Sequence, residues 1–112
     1  MDLITELKPT DRIALEDDQL SIVEFYLPTC KACNNFASTY EELAQENQEV
    51  KFYKMNVTSS KGESPSQTWK VRAVPTVAVF AGSVSPDNEL ARILGNKPKE
   101  TIQRLLEEYK PS

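Results

Sequence analysis

The stretch Thr29-Cys30-Lys31-Ala32-Cys33 constrains this chain more than any other. It holds both cysteines of the sequence, so all of the available thiol chemistry is concentrated there. The run before it, Gln19 to Leu27, is apolar, β-rich and nearly continuous rather than alternating, which suits a strand buried on both faces. Pro28 breaks that run. The run after it, Lys31 to Gln48, reads as the longest helix. Cys33, Phe36, Ala37, Tyr40, Leu43, Ala44 and Asn47 fall at helical spacing on one face, and Glu41, Glu42, Gln45 and Glu46 make the wet face. A Cys-x-x-Cys at such a junction places the first sulfur at a helix N-terminus, where unpaired N–H groups and the helix dipole stabilise negative charge. The thiol pKa falls there, and the thiolate is the reactive form. The second cysteine, one helical turn on, is close enough to close a disulfide.

This pair has little structural work to do. A bridge between residues so near in sequence closes a tiny loop and stabilises almost nothing. With 112 residues, of which 39% are hydrophobic, the chain is expected to be a single domain over 1–112 with a modest core of its own. Its net charge of −4 argues against nucleic acid and anionic membrane surfaces as partners. No segment approaches the roughly 18 apolar residues of a membrane span. The start, Met1-Asp2-Leu3-Ile4-Thr5-Glu6-Leu7, is acidic and lacks the apolar run of a signal peptide. The expectation is a cytoplasmic monomer whose cysteine pair rests largely reduced. Zinc wants four ligands, and two cysteines without any histidine supply only half a site, so no metal is expected within one chain.

The remaining segments alternate strand and helix. Leu3–Leu7 fits a short edge strand, and Pro9-Thr10-Asp11-Arg12 opens a short helix with Ile13 and Ala14 inward. Val50–Val57 is a strand. A polar loop, Thr58–Gln67, leads through Ser64-Pro65 into a short helix ending near Trp69. Val71–Phe80 is the next strand region, Gly82–Asn88 a turn, and Glu89–Leu94 the return strand. Pro98 or Lys99 starts a last helix that runs to Tyr109. This order predicts parallel strands joined by helices plus one antiparallel hairpin: an α/β fold with a central mixed β-sheet and helices on both faces.

At this point the chain resembles the thioredoxin family over nearly its whole length. The resemblance rests on Val23-Glu24-Phe25-Tyr26 followed shortly by Cys30-Lys31-Ala32-Cys33, on Lys54-Met55-Asn56-Val57, on Val71-Arg72-Ala73-Val74-Pro75-Thr76-Val77, and on Gly95 after the last hairpin strand. The chain departs from the family pattern as well. Thr29 stands where the family has tryptophan, Lys31-Ala32 where it has Gly-Pro, Glu24 where it has a buried aspartate, and Ser38 where a proline kinks the helix. The resemblance implies a thioredoxin fold and a thiol–disulfide oxidoreductase that needs no cofactor. Its partners would be disulfide-containing proteins and a thioredoxin reductase or similar electron donor.

The resemblance also implies roles. Cys30 is the nucleophile and Cys33 the resolving thiol. Glu24 takes the place of the buried acid that moves protons for the second cysteine, with Lys54 as its charge partner. Desolvation is expected to raise the Glu24 pKa, which suits a base near neutral pH. Pro75 is implied to be cis and to face the disulfide, leaving the Val74 backbone free to pair with an extended substrate. Thr29, Lys31, Ala32, Val74, Pro75, Thr76 and Gly95 form the expected substrate rim. Rival readings are two incidental core cysteines, a Glu24 turned to solvent, a plain surface Lys54 and a trans Pro75. At the level of function, the rival is a binding module that keeps the fold and uses the cysteine pair as a redox switch.

Overall fold

Strand β2 (Leu20–Tyr26) sits at the centre of the sheet, and every residue from Leu20 to Phe25 is buried. The computed structural model describes residues 3–59, 62, 64–94 and 96–110. Within them, β1 (Ile4–Leu7), β3 (Lys51–Asn56), β4 (Thr76–Ala81) and β5 (Glu89–Leu94) complete a five-stranded sheet in the order β1-β3-β2-β4-β5. β1 and β2 both run parallel to β3, whereas β4 runs antiparallel to β2 and to β5. The helices are α1 (Lys31–Glu46), the four-residue α2 (Pro65–Thr68) and α3 (Lys99–Tyr109). This is the mixed sheet expected from the sequence.

Successive strand residues point to opposite faces, so β2 feeds two cores. On one side Leu20, Ile22, Val77 and Val79 pack with Phe36, Tyr40 and Leu43 of α1 and with Ile102 and Leu106 of α3. On the other, Val23, Phe25, Met55, Ala78 and Phe80 surround Trp69, which follows α2. By this alternation Glu24, two residues beyond Ile22, falls on the α1 face. α1 is fastened to that face by Tyr40, whose hydroxyl donates to the Tyr53 carbonyl at 2.6 Å. The same hydroxyl lies 3.2 Å from the Ile22 carbonyl, so the middle of α1 is also held against the strand that delivers the cysteines.

Three expectations need correction. Pro9 to Ala14 is not helical. The Asp11 N–H donates to the Lys8 carbonyl at 2.9 Å, and the Asp11 carboxylate accepts the Lys8 N–H at 2.8 Å. Pro9 therefore opens a tight turn, and the Asp11 carboxylate closes it instead of capping a helix. Ile13 then forms an isolated antiparallel bridge with Val84 and packs into the second core. The strand predicted over Val71–Phe80 begins only at Thr76, because Pro75 has no N–H to give to the ladder. Finally, α1 ends at Glu46, and buried Asn47 caps it by donating from its amide to the Leu43 carbonyl at 2.8 Å.

Because Phe36 is fully buried between α1 and the sheet, Phe36→Ala should cost about 3–5 kcal/mol in urea denaturation. Leu90, 45% exposed on the edge strand β5, serves as the control. Leu90→Ala should stay within about 0.5 kcal/mol of the parent. Equal losses at the two positions would contradict the assigned core.

Candidate functional site

The site forms where β2 hands over to α1. The Cys30 N–H donates to the Leu27 carbonyl at 3.1 Å, which turns the chain after Pro28. Cys30 itself is the N-cap of α1, in extended conformation, and its sulfur accepts the Cys33 N–H at 3.1 Å. A helix N-terminus leaves its first N–H groups without partners, so a sulfur at this point meets donors that favour its anionic form. Cys30 and Cys33 are joined as a disulfide with their Cα atoms 5.2 Å apart. The two sulfurs differ in access, since Cys30 is half-buried and Cys33 only 4% exposed.

The surrounding residues fall as follows. Thr29 and Lys31 are exposed, and Ala32 is half-buried in the first turn of α1. The Val74–Pro75 bond is cis. The Val74 carbonyl lies 3.8 Å from Cys30 Sγ, so the loop before β4 closes over the disulfide. Among the described residues, neither the N–H nor the carbonyl of Val74 has a backbone partner. Thr76 is fully buried, and its hydroxyl donates inward to the Ala73 carbonyl at 2.6 Å. It shapes the loop and does not form part of its outer surface. Gly95 lies outside the described residues.

Glu24 is the unusual member of the group. It is 5% exposed in the middle of the central strand. A cavity of about 120 Å³ is lined by Glu24, Cys33, Tyr40, Tyr26 and Lys54 among others, so the carboxyl and the buried cysteine open onto one space. Burial pushes the Glu24 carboxyl up to about 7, against the pull of Lys54, with Glu6 adding a smaller push. A carboxyl in that range exchanges protons close to neutral pH.

Lys54 is the cross-strand neighbour of Glu24. Its ammonium, however, makes its ion pair with Glu6 of β1, at 4.0 Å. Tyr26 completes the group. Its hydroxyl donates to the Glu6 carboxylate, lying 2.8 and 3.0 Å from the two oxygens. Burial, together with that hydrogen bond, raises the Tyr26 pKa to about 12, so it stays a donor. Glu6 is the residue that reading the sequence missed. The edge strand was legible, but its register against β3, which sets Glu6 opposite Lys54, was not.

This arrangement presents one half-buried sulfur at the helix N-terminus, a second, buried sulfur that shares a cavity with Glu24, and a Val74 backbone without a backbone partner among the described residues. Comparison with known proteins points the same way. The family description "Thioredoxin" matches residues 6–108. The chain is 32% identical over 96 residues to thioredoxin M4, chloroplastic, of Arabidopsis thaliana, covering 85% of this chain and 47% of that protein. It is 30% identical over 90 residues to the thioredoxin of Chlamydia pneumoniae, covering 80% and 82% of the two chains. The chain thus spans about half the length of the Arabidopsis relative and most of the bacterial one. Among solved structures, Chlamydomonas reinhardtii thioredoxin f2 superposes with a TM-score of 0.78 over 97% of this chain and 99% of that one, at 21% identity. Fasciola hepatica thioredoxin does so with a TM-score of 0.68 over 84% of each, at 26% identity. The helix-capping disulfide, the cis proline loop facing it and the family match over residues 6–108 agree: this chain belongs to the thioredoxin family.

Proposed function

We propose that the chain, acting as a single domain, is a thiol–disulfide oxidoreductase that reduces disulfides in protein substrates. The observation that carries this reading is the asymmetry of the pair, with Cys30 accessible at the helix N-terminus and Cys33 sealed over the Glu24 cavity. Cys30, as thiolate, attacks one sulfur of the substrate disulfide. A Cys30–substrate bond forms, the substrate S–S bond breaks, and the displaced thiolate takes up a proton. Cys33 then gives its proton to the Glu24 carboxylate and attacks Cys30. The Cys30–Cys33 bond forms, and the second substrate sulfur leaves as a thiolate. Two electrons have moved to the substrate. A thioredoxin reductase or a comparable dithiol donor returns them, which suits a reducing compartment such as the cytoplasm.

The substrate reaches Cys30 in extended form and pairs with the unpartnered Val74 backbone, as an added strand does. Thr29, Lys31 and Ala32 form the opposite rim. A threonine and an exposed lysine make that rim small and polar, so recognition leans on the backbone pairing more than on apolar contact.

Two measurements test this reading. Cys33→Ser should capture substrate as a stable mixed disulfide on Cys30, visible by mass spectrometry, and lose turnover by about 10²-fold or more. Cys30→Ser should lose both turnover and capture, and capture surviving in that variant would contradict the assigned order. Glu24→Gln should slow resolution of the mixed disulfide roughly 10- to 100-fold at pH 8.

The same substitution also tests stability. The folded state holds the Glu24 proton more tightly than the unfolded state, because its pKa is raised from 4.5 to about 7. This group's contribution is therefore fully favourable below pH 4.5 and is lost as pH rises through about 7. Above that, Glu24→Gln should be more stable than the parent by on the order of 3 kcal/mol, with no advantage near pH 4. A parent whose stability is flat across this window would show that Glu24 is not desolvated.

A further inference from the structure

We propose that Glu6 is a positioning residue for the proton-accepting step: held by the Tyr26 hydroxyl, it draws the Lys54 ammonium outward, away from Glu24. This rests on the reading that Glu24 takes the Cys33 proton.

Three charged residues stand abreast at one level of the sheet. Glu6 of β1 is opposite Lys54 of β3, and Lys54 is opposite Glu24 of β2. Neighbouring strands lie only about 4.8 Å apart, so one ammonium stands between two carboxylates. An undivided Lys54–Glu24 pair would hold Glu24 as a carboxylate and spoil it as a proton acceptor. The side chains are arranged otherwise. Lys54 makes its ion pair with Glu6, at 4.0 Å, and its Nζ lies 5.7 Å from the centre of the Tyr26 ring. Tyr26 fixes the Glu6 carboxylate through the hydroxyl contacts already described. Lys54 and Glu6 are both about half-exposed, at 44% and 46%, while Glu24 is buried. The cation is thus held at the solvent end of the group.

A second groove of about 550 Å³ adjoins the Glu24 cavity, and Ile4, Glu41 and Lys54 line both. Glu6 lines the groove. The groups around Glu24 are therefore Glu6 from β1, Lys54 from β3, Tyr26 from its own strand, and Cys33, Tyr40 and Glu41 from α1. β4 offers only apolar Val77 at this level. Lys54 and Glu6 are the two whose charges act on the Glu24 carboxyl, and they act with opposite sign. Removing Glu6 takes away a repelling charge and also leaves Glu24 as the remaining carboxylate in the row. Both effects favour the Glu24 carboxylate.

The experiment is a carbon-13 carboxyl NMR titration of Glu24 in the oxidised protein, run beside the pH profile of mixed-disulfide resolution. Parent, Glu6→Gln, Tyr26→Phe and Lys54→Gln are compared. Glu6→Gln should move the Glu24 midpoint down by roughly one pH unit, and the resolution profile should move with it. Tyr26→Phe should give a smaller shift of the same sign, and Lys54→Gln a shift upward. An unmoved midpoint in Glu6→Gln overturns the proposal and leaves the proposed function standing. A midpoint that moves while the resolution profile stays in place supports the coupling of Glu6 to Glu24 and overturns the role of Glu24 as acceptor of the Cys33 proton. A merely structural role for Glu6 predicts a loss of stability with neither shift.

Discussion

A carboxyl group forced into the central strand of the sheet is the constraint on which the rest of this site depends. β2 is buried on both faces along nearly its whole length, so its residues have no solvent side to turn to. Desolvating a carboxylate there is costly, and the group responds by keeping its proton to higher pH. The core on the α1 side bears on that position: Tyr40 of α1 lines the same cavity as Glu24, and the antiparallel partner β4 places Val77 beside it. The packing that stabilises the sheet is thus the same packing that raises the Glu24 pKa to about 7, the range its proposed role as proton acceptor calls for.

The division of labour between the cysteines follows from the same geometry. Strand β2 ends at the surface, and α1 starts there and runs back over the sheet. Cys30, as the helix cap, stays at the rim, and Cys33, one turn in, points to the strand that carries Glu24. Sulfur at the cap gains charge stabilisation from N–H groups, whereas the inner sulfur needs a base. Each cysteine therefore has the neighbour that its proposed role calls for. The cis Val74–Pro75 loop brings a backbone edge to the outer sulfur and leaves the inner one covered.

Much of this was legible from the residues. The unbroken apolar run of Gln19–Leu27 announced a two-sided strand, and the helical spacing from Cys33 to Ala44 announced the face that packs on it. The family resemblance implies that Glu24 is the buried acid, and the alternation of β2 in the structure sets it on the α1 face. What escaped was set by pairing between distant segments. The turn at Pro9 depends on the Asp11 carboxylate choosing the Lys8 N–H, a local competition that looks like a helix cap on paper. The place of Glu6 beside Lys54 depends on the register of β1 against β3, and strand pairing leaves no mark in either strand alone. The late start of β4 follows from the proline's missing donor, which the apolar run Val71–Phe80 conceals.

The proposed mechanism couples disulfide chemistry at Cys30–Cys33 to the proton on Glu24. The most direct test is the reduction potential of the pair, measured against pH in the parent and in Glu24→Gln by equilibration with dithiothreitol and thiol trapping. One two-electron transition is expected, with the two pH curves diverging near pH 7, to which burial raises the parent carboxyl. Curves of identical shape would contradict the coupling, and the absence of any two-electron transition would contradict the redox assignment itself.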